Sequence, residues 1–110
     1  QGCASASPEE FLIEKLTKSD IVGYFETIFG GDMVVNNKPS PEIYFEVFKV
    51  LDVQPKNVLI IEDSPYGIES GKRAGARVLA IDRGVFSQEQ LQEADFKSTY
   101  LDLKFFKSII

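Results

Sequence analysis

Residues 57–75 read NVLIIEDSPYGIESGKRAG, and this order of residue types constrains the fold more than any other stretch. Val58-Leu59-Ile60-Ile61 is apolar, rich in β-branched residues and free of polar alternation, which predicts a strand buried on both faces of a parallel sheet. Glu62 and Asp63 follow at once, and then Ser64 and Pro65, an N-cap and a proline at the first helical position. The two acids therefore fall between the C-terminal end of a strand and the start of a helix, the crevice where open α/β sheets bind ligands. Gly67, Gly71 and Gly75 recur every four residues on one helical face. Glycine is a poor helix former, so their alignment predicts close packing of the helix on the sheet, with Gly75 ending it. The same spacing marks membrane helix dimers, but this helix is too polar for that.

Two adjacent carboxylates at a buried strand end need compensation. Mg2+ supplies it economically, because it prefers carboxylate oxygen and keeps several waters. The plainer alternative is an exposed acidic turn in which Asp63 only caps the helix.

The rest of the chain alternates strand and helix signals. Residues 1–5 read as a strand, and Ser7-Pro8-Glu9-Glu10 as a capping box with Ser7 as N-cap, opening a helix over residues 8–16. The turn Ser5-Ala6-Ser7 is then a natural phosphate cradle, since free backbone N–H groups and the helix dipole favour an anion. Capping without a ligand explains the same residues. Asp20 to Phe25 is a connector, Thr27-Ile28-Phe29 a short strand, and residues 36–41 a loop in which Pro39 holds Lys38 extended. Alone, Lys38 reads as a solvated loop lysine; its place before two prolines favours a fixed role. A helix over 41–51 carries the apolar stripe Ile43, Tyr44, Val47, Phe48 and Leu51. Residues 78–82 form the next strand, 88–94 a short helix, 96–100 an edge strand and 101–110 a closing amphipathic helix. This alternation predicts right-handed βαβ units and a parallel sheet. Ser5, Lys38 and the Glu62/Asp63 pair would then gather at one sheet edge as a phosphate site: a hydroxyl, a cation and a metal-holding acid pair. That set contains no nucleophile.

At 110 residues with 44% hydrophobic residues, the chain can bury one core. A net charge of -5 without a Lys/Arg run argues against nucleic acid or an anionic membrane as partner. No apolar run approaches spanning length, and no signal peptide is visible. Without histidine, triads and metal sites built on it are excluded within the chain. The single cysteine, Cys3, excludes an internal disulfide and predicts a reducing, cytoplasmic setting.

The stretches CASASP, FETIFGGD, KPSPEIY and VLIIEDSPYGIESGKRAGARVLAID resemble, in order and spacing, the last three motifs of the haloacid dehalogenase-like hydrolase superfamily, in particular its β-phosphoglucomutase and sugar-phosphatase branch. The resemblance implies a Rossmann-like three-layer sandwich and Mg2+-dependent phosphoryl transfer on a small phosphorylated metabolite, a sugar phosphate foremost. It assigns phosphate binding to Ser5, with Ala6 through its backbone and Ser7 through its side chain. It assigns steadying of nucleophile and phosphoryl charge to Lys38, and binding or orienting of Mg2+ to Glu62 and Asp63.

One departure qualifies the resemblance. The family's first motif, DxDx[T/V], carries the aspartate nucleophile and the acid/base aspartate, and no DxD occurs in this chain. Residues 1–110 therefore correspond to the C-terminal part of such a core domain. The central first strand, the cap domain and the upstream part of the same protein are expected to lie outside it. Loss of the central strand leaves two strand edges unpaired and the core open, so the chain alone is expected to be inactive and unstable as a monomer. Two further readings compete. One is a catalytically inactive scaffold or phosphate-binding module of the same fold. The other is a receiver-type signalling domain, which VLIIEDS resembles; the aspartates after Asp63, namely Asp82, Asp95 and Asp102, do not have a receiver's arrangement.

Overall fold

Strand and helix alternate along the chain as far as β4 (Arg77–Ile81), which a helix-free connection joins to the last strand, and every strand pairing among the described residues is parallel. The structure, a computed structural model, describes residues 1–109. In chain order the elements are β1 (Gly2–Ala4), α1 (Glu9–Lys18), β2 (Thr27–Phe29), α2 (Glu42–Leu51), β3 (Leu59–Glu62), α3 (Pro65–Arg73), β4 (Arg77–Ile81), β5 (Phe96–Ser98) and α4 (Leu103–Ile109). The expected connector after α1 contains a single 3-10 turn, Val22–Tyr24.

Among the described residues the strands form two sheets, β1-β2 and β3-β4-β5. Cys3 pairs with Ile28 in the first, and Ile60 with Val78 and Leu79 with Phe96 in the second. Residues of both β1 and β3 line a groove of about 570 Å3, together with Tyr44, Phe48 and Phe106. The two sheets are bridged by α2, which packs on β1, β2 and α3.

The helices follow their sequence patterns closely. Ile43, Tyr44, Val47 and Phe48 of the α2 stripe are buried, while Leu51 ends it half-buried. Asp52 terminates α2 in the left-handed region (φ 53), which a short polar side chain tolerates. Ser64 caps α3 by accepting the Gly67 N–H at 3.1 Å. A Cβ on Gly71 would sit 2.8 Å from Val78 Cγ2, so the helix lies on β4 too closely for a larger residue. Gly75 ends the helix at φ +84.

Four expectations are corrected. Ser7 does not cap α1: Pro8 holds the N-cap position, and the Asp32 carboxylate accepts the Glu9 N–H at 2.8 Å. The cap comes from 23 residues away, and the Ser7 carbonyl instead accepts the Gly31 N–H at 2.8 Å. β3 is not buried on both faces: Ile60 is, but Ile61 is 43% exposed, because β3 is the sheet edge on the groove. Residues 88–94 form turns rather than a helix, and Leu91 plugs the core from them at 1% exposure, with Ala94 packed against the same core. Lys38 precedes a cis peptide bond to Pro39, in a turn closed by the Ser40 N–H on the Asn37 carbonyl at 3.0 Å. The closing helix is shorter than expected, opening where Asp102 accepts the Phe105 N–H at 2.6 Å; its expected last residue, 110, lies outside the described residues.

Candidate phosphate and metal site

The C-terminal ends of β1, β3 and β4 and the turn carrying Lys38 open on one cleft of about 500 Å3. Ala4, Ser5, Ala6, Lys38, Ile61, Glu62, Asp63, Ser64, Ile81 and Arg83 line it. Parallel pairing is the reason: residues just after different strands emerge at the same edge. Five of the six residues singled out from the sequence lie in this lining. Ser7 lies beside it, its backbone tied to Gly31 and its N–H donating to Ser5 Oγ at 3.2 Å. The Ser5 oxygen thus accepts within its own turn, and its O–H remains to donate into the cleft.

The acid pair divides into two environments. Glu62 is enclosed, with only 10% of its side chain exposed. Its Oε1 accepts from both Lys38 Nζ and the Tyr44 hydroxyl. Its other oxygen packs against Gly67, where any Cβ would overlap the carboxylate. Lys38 also donates to the Ala4 carbonyl at 3.3 Å, and its Nζ lies 4.9 Å from the Tyr44 ring centroid. Burial, reinforced by the adjacent Glu62 carboxylate, pushes the Tyr44 phenol well above its ordinary range, so it acts as a donor. Asp63, in contrast, has half its side chain exposed and a single ion pair, to Arg83 at 3.2 Å.

This division decides which acid suits a cation. Among the described residues no three His, Cys, Asp or Glu side chains form a metal-holding group. A hydrated Mg2+ needs no such group, since it takes one or two carboxylates, waters and substrate phosphate oxygen. Asp63 fits that requirement with its half-exposed carboxylate; Glu62 has only Oε2 to offer, since Lys38 and Tyr44 occupy Oε1.

Sequence reasoning missed Tyr44 and Arg83 as parts of the site. Tyr44 fitted an apolar helical stripe, and only its buried hydroxyl, which needs a partner, could have betrayed it. Arg83 stands two residues after β4, at the same sheet edge as Asp63 just after β3, and that shared edge was the available signal.

The sequence pattern of the haloacid dehalogenase-like hydrolases matches residues 1–81. The chain belongs to the haloacid dehalogenase-like hydrolase family. Within this family it is 37% identical over 92 residues to the phosphorylated carbohydrates phosphatase of Thermotoga maritima, covering 83% of this chain and 43% of that protein. It is 37% identical over 70 residues to the phosphoglycolate phosphatase of Aquifex aeolicus, covering 59% of this chain and 33% of that one. Among solved structures, a Thermotoga maritima protein provisionally described as a β-phosphoglucomutase superposes with a TM-score of 0.88 at 30% identity, over 99% of this chain and 52% of that one. The β-phosphoglucomutase of Clostridium difficile superposes at 0.77 and 27% identity, over 87% and 43%. The expected Rossmann-like α/β fold is thus that of the family's solved members. The chain spans about half the length of these relatives or less. Family membership displaces the receiver-domain alternative. No helix among the described residues is long and apolar enough to cross a membrane.

Proposed function

We propose that this chain supplies the phosphate-holding and metal-facing part of a Mg2+-dependent phosphoryl-transfer site acting on small phosphorylated metabolites, a sugar phosphate foremost. One observation carries the reading: a hydroxyl (Ser5), a cation (Lys38) and a half-exposed carboxylate (Asp63) share one cleft at the ends of parallel strands. The names of the relatives, phosphatases of phosphorylated carbohydrates and of phosphoglycolate, point to the same chemistry.

In this reading Ser5 donates its O–H to a phosphoryl oxygen, with backbone of the Ser5–Ser7 turn beside it. Lys38 offsets the negative charge that accumulates on the transferring group. Asp63, with Glu62 behind it, would hold Mg2+, which when bound supplies further charge neutralisation. The nucleophile is an aspartate outside residues 1–110, which contain no DxD. The chain alone is then inactive.

The test is phosphate release from a panel of hexose phosphates by the protein expressed from its complete reading frame, with Mg2+ and with excess chelator. Mg2+-dependent release that falls at least a hundredfold in Asp63→Asn is the expected result, the scale on which electrostatic groups act in catalysis. Absence of release, with inorganic phosphate still bound, would assign the protein to the inactive scaffolds instead.

A further inference from the structure

The buried hydroxyl of Tyr44 takes no part in the reading above, yet it meets the side chain on which Lys38 depends. Tyr44 projects from α2 into the core, 7% exposed, with its ring stacked on Phe48 at 6.3 Å between centroids. A phenylalanine would fill that space equally well, and a buried phenol is costly unless its O–H is partnered. The partner is Glu62 Oε1, the same oxygen that accepts Lys38 Nζ. The other Glu62 oxygen lies close against Gly67.

We infer that Tyr44 is a positioning residue: its phenol locks Glu62 as the fixed counter-ion of Lys38, so that Lys38 is aimed into the cleft. The donor arithmetic supports this. An ammonium group has three N–H donors. One goes to Glu62 and one to the Ala4 carbonyl, which leaves the third for an anion in the cleft. The Tyr44 ring beside the ammonium restricts it further. Without the phenol, Glu62 Oε1 has only Lys38 as donor, the carboxylate is free to rotate, and Lys38 follows it.

The decisive experiment compares the wild-type chain with Tyr44→Phe, which keeps the ring, its stacking and its face toward Lys38. Two readouts are taken under conditions where both proteins are folded. The first is the NMR signal of the Lys38 ammonium, identified by its loss in Lys38→Met. The second is the dissociation constant for inorganic phosphate. The first stands independently of the proposed function; the second rests on it. Positioning by Tyr44 requires that the phenylalanine variant shift or broaden the Lys38 signal. It also requires phosphate affinity to fall about tenfold, as for loss of one hydrogen bond to a charged group, with no further loss when the change is added to Lys38→Met. A lowered melting temperature with both readouts unchanged would make the phenol merely structural and overturn the inference. If wild type fails to bind phosphate, the phosphate reading falls, and the Lys38 signal still decides the role of Tyr44. Should Tyr44→Phe not fold, Glu62→Gln must shift the Lys38 signal in the same way, because it removes the charge that the phenol holds in place; an unchanged signal there overturns the inference too.

Discussion

Ser70 of α3 donates its hydroxyl to the Ser40 carbonyl at 2.7 Å, and so anchors the turn that carries Lys38 to a helix on the other sheet. Ser70 is fully buried, and its hydroxyl has no other route to satisfaction in an apolar core. Ser70→Ala leaves the Ser40 carbonyl unpartnered and is expected to cost about 1–3 kcal/mol. Urea unfolding measures this directly. A change below about 0.5 kcal/mol, the scale of neutral surface substitutions, would show that water replaces the hydroxyl.

Lys38 and Glu62 form the most enclosed ion pair among the described residues, with side chains 13% and 10% exposed. Removing one member strands the other. Lys38→Met should destabilise the chain by about 3 kcal/mol or more, and adding Glu62→Leu should restore part of that, because a buried pair is more easily replaced than halved. Chemical denaturation of the two single variants and the double variant provides the check. Strict additivity would mean that the pair is solvated.

Gly67 lies against the Glu62 carboxylate at the first turn of α3. In an exposed helix alanine would be the better residue by roughly 1 kcal/mol. At this position Gly67→Ala should destabilise instead, since its Cβ must push the carboxylate away from Lys38 and Tyr44. A crystal structure of the variant should show Glu62 displaced; an unmoved Glu62 with raised stability contradicts the packing described.

Asp95 joins β4 to α3 by accepting the Val78 N–H at 2.7 Å and pairing with Lys72 at 2.7 Å. Burial acts to raise its carboxyl, but the bonds from Lys72 and Val78 outweigh that and hold it below its ordinary value of 3.8. A carboxyl depressed on folding contributes stability above its unfolded value and loses it as pH falls through the folded one. The pair is about a third exposed, so its worth is that of a surface pair, about 0.5–1 kcal/mol. Asp95→Asn should therefore destabilise at neutral pH by about that amount and match wild type progressively as pH drops below 3.8. Thermal melts across pH 2.5–7, a range taken as roughly spanning the carboxylate values, would expose a pH-independent difference if hydrogen bonding alone matters.

The sequence carried most of the architecture because its signals were local. The α2 stripe, the Ser64-Pro65 start of α3 and the glycine that ends it each depend on residues a few positions apart, and each holds in the structure. Where the sequence misled, the controlling partner was remote. Ser7 looked like a cap because nothing nearby revealed that Asp32 supplies one. Ile61 looked buried because its pattern could not show that β3 is a sheet edge. Ser5, Lys38 and Asp63 were legible as chemistry because each follows a strand or sits beside prolines. The division of labour within the acid pair was not, because it arises from Tyr44 and Gly67, which contact Glu62 only in the fold.

The division into two sheets gives the molecule a seam. Backbone hydrogen bonds run within β1-β2 and within β3-β4-β5, and side-chain packing through α2, with ties such as that of Ser70, spans the line between them. Cooperative units of unequal protection are the usual outcome of such an arrangement. Amide protons of Cys3 and Ile28 should therefore exchange with solvent deuterium as one group, ahead of those of Ile60, Val78 and Leu79. The residues proposed to hold phosphate and metal are distributed across that seam, Ser5 on one unit and Asp63 on the other. A phosphate on Ser5, joined to Asp63 through the proposed Mg2+, would act as a staple, slowing exchange of the first group toward the rate of the second.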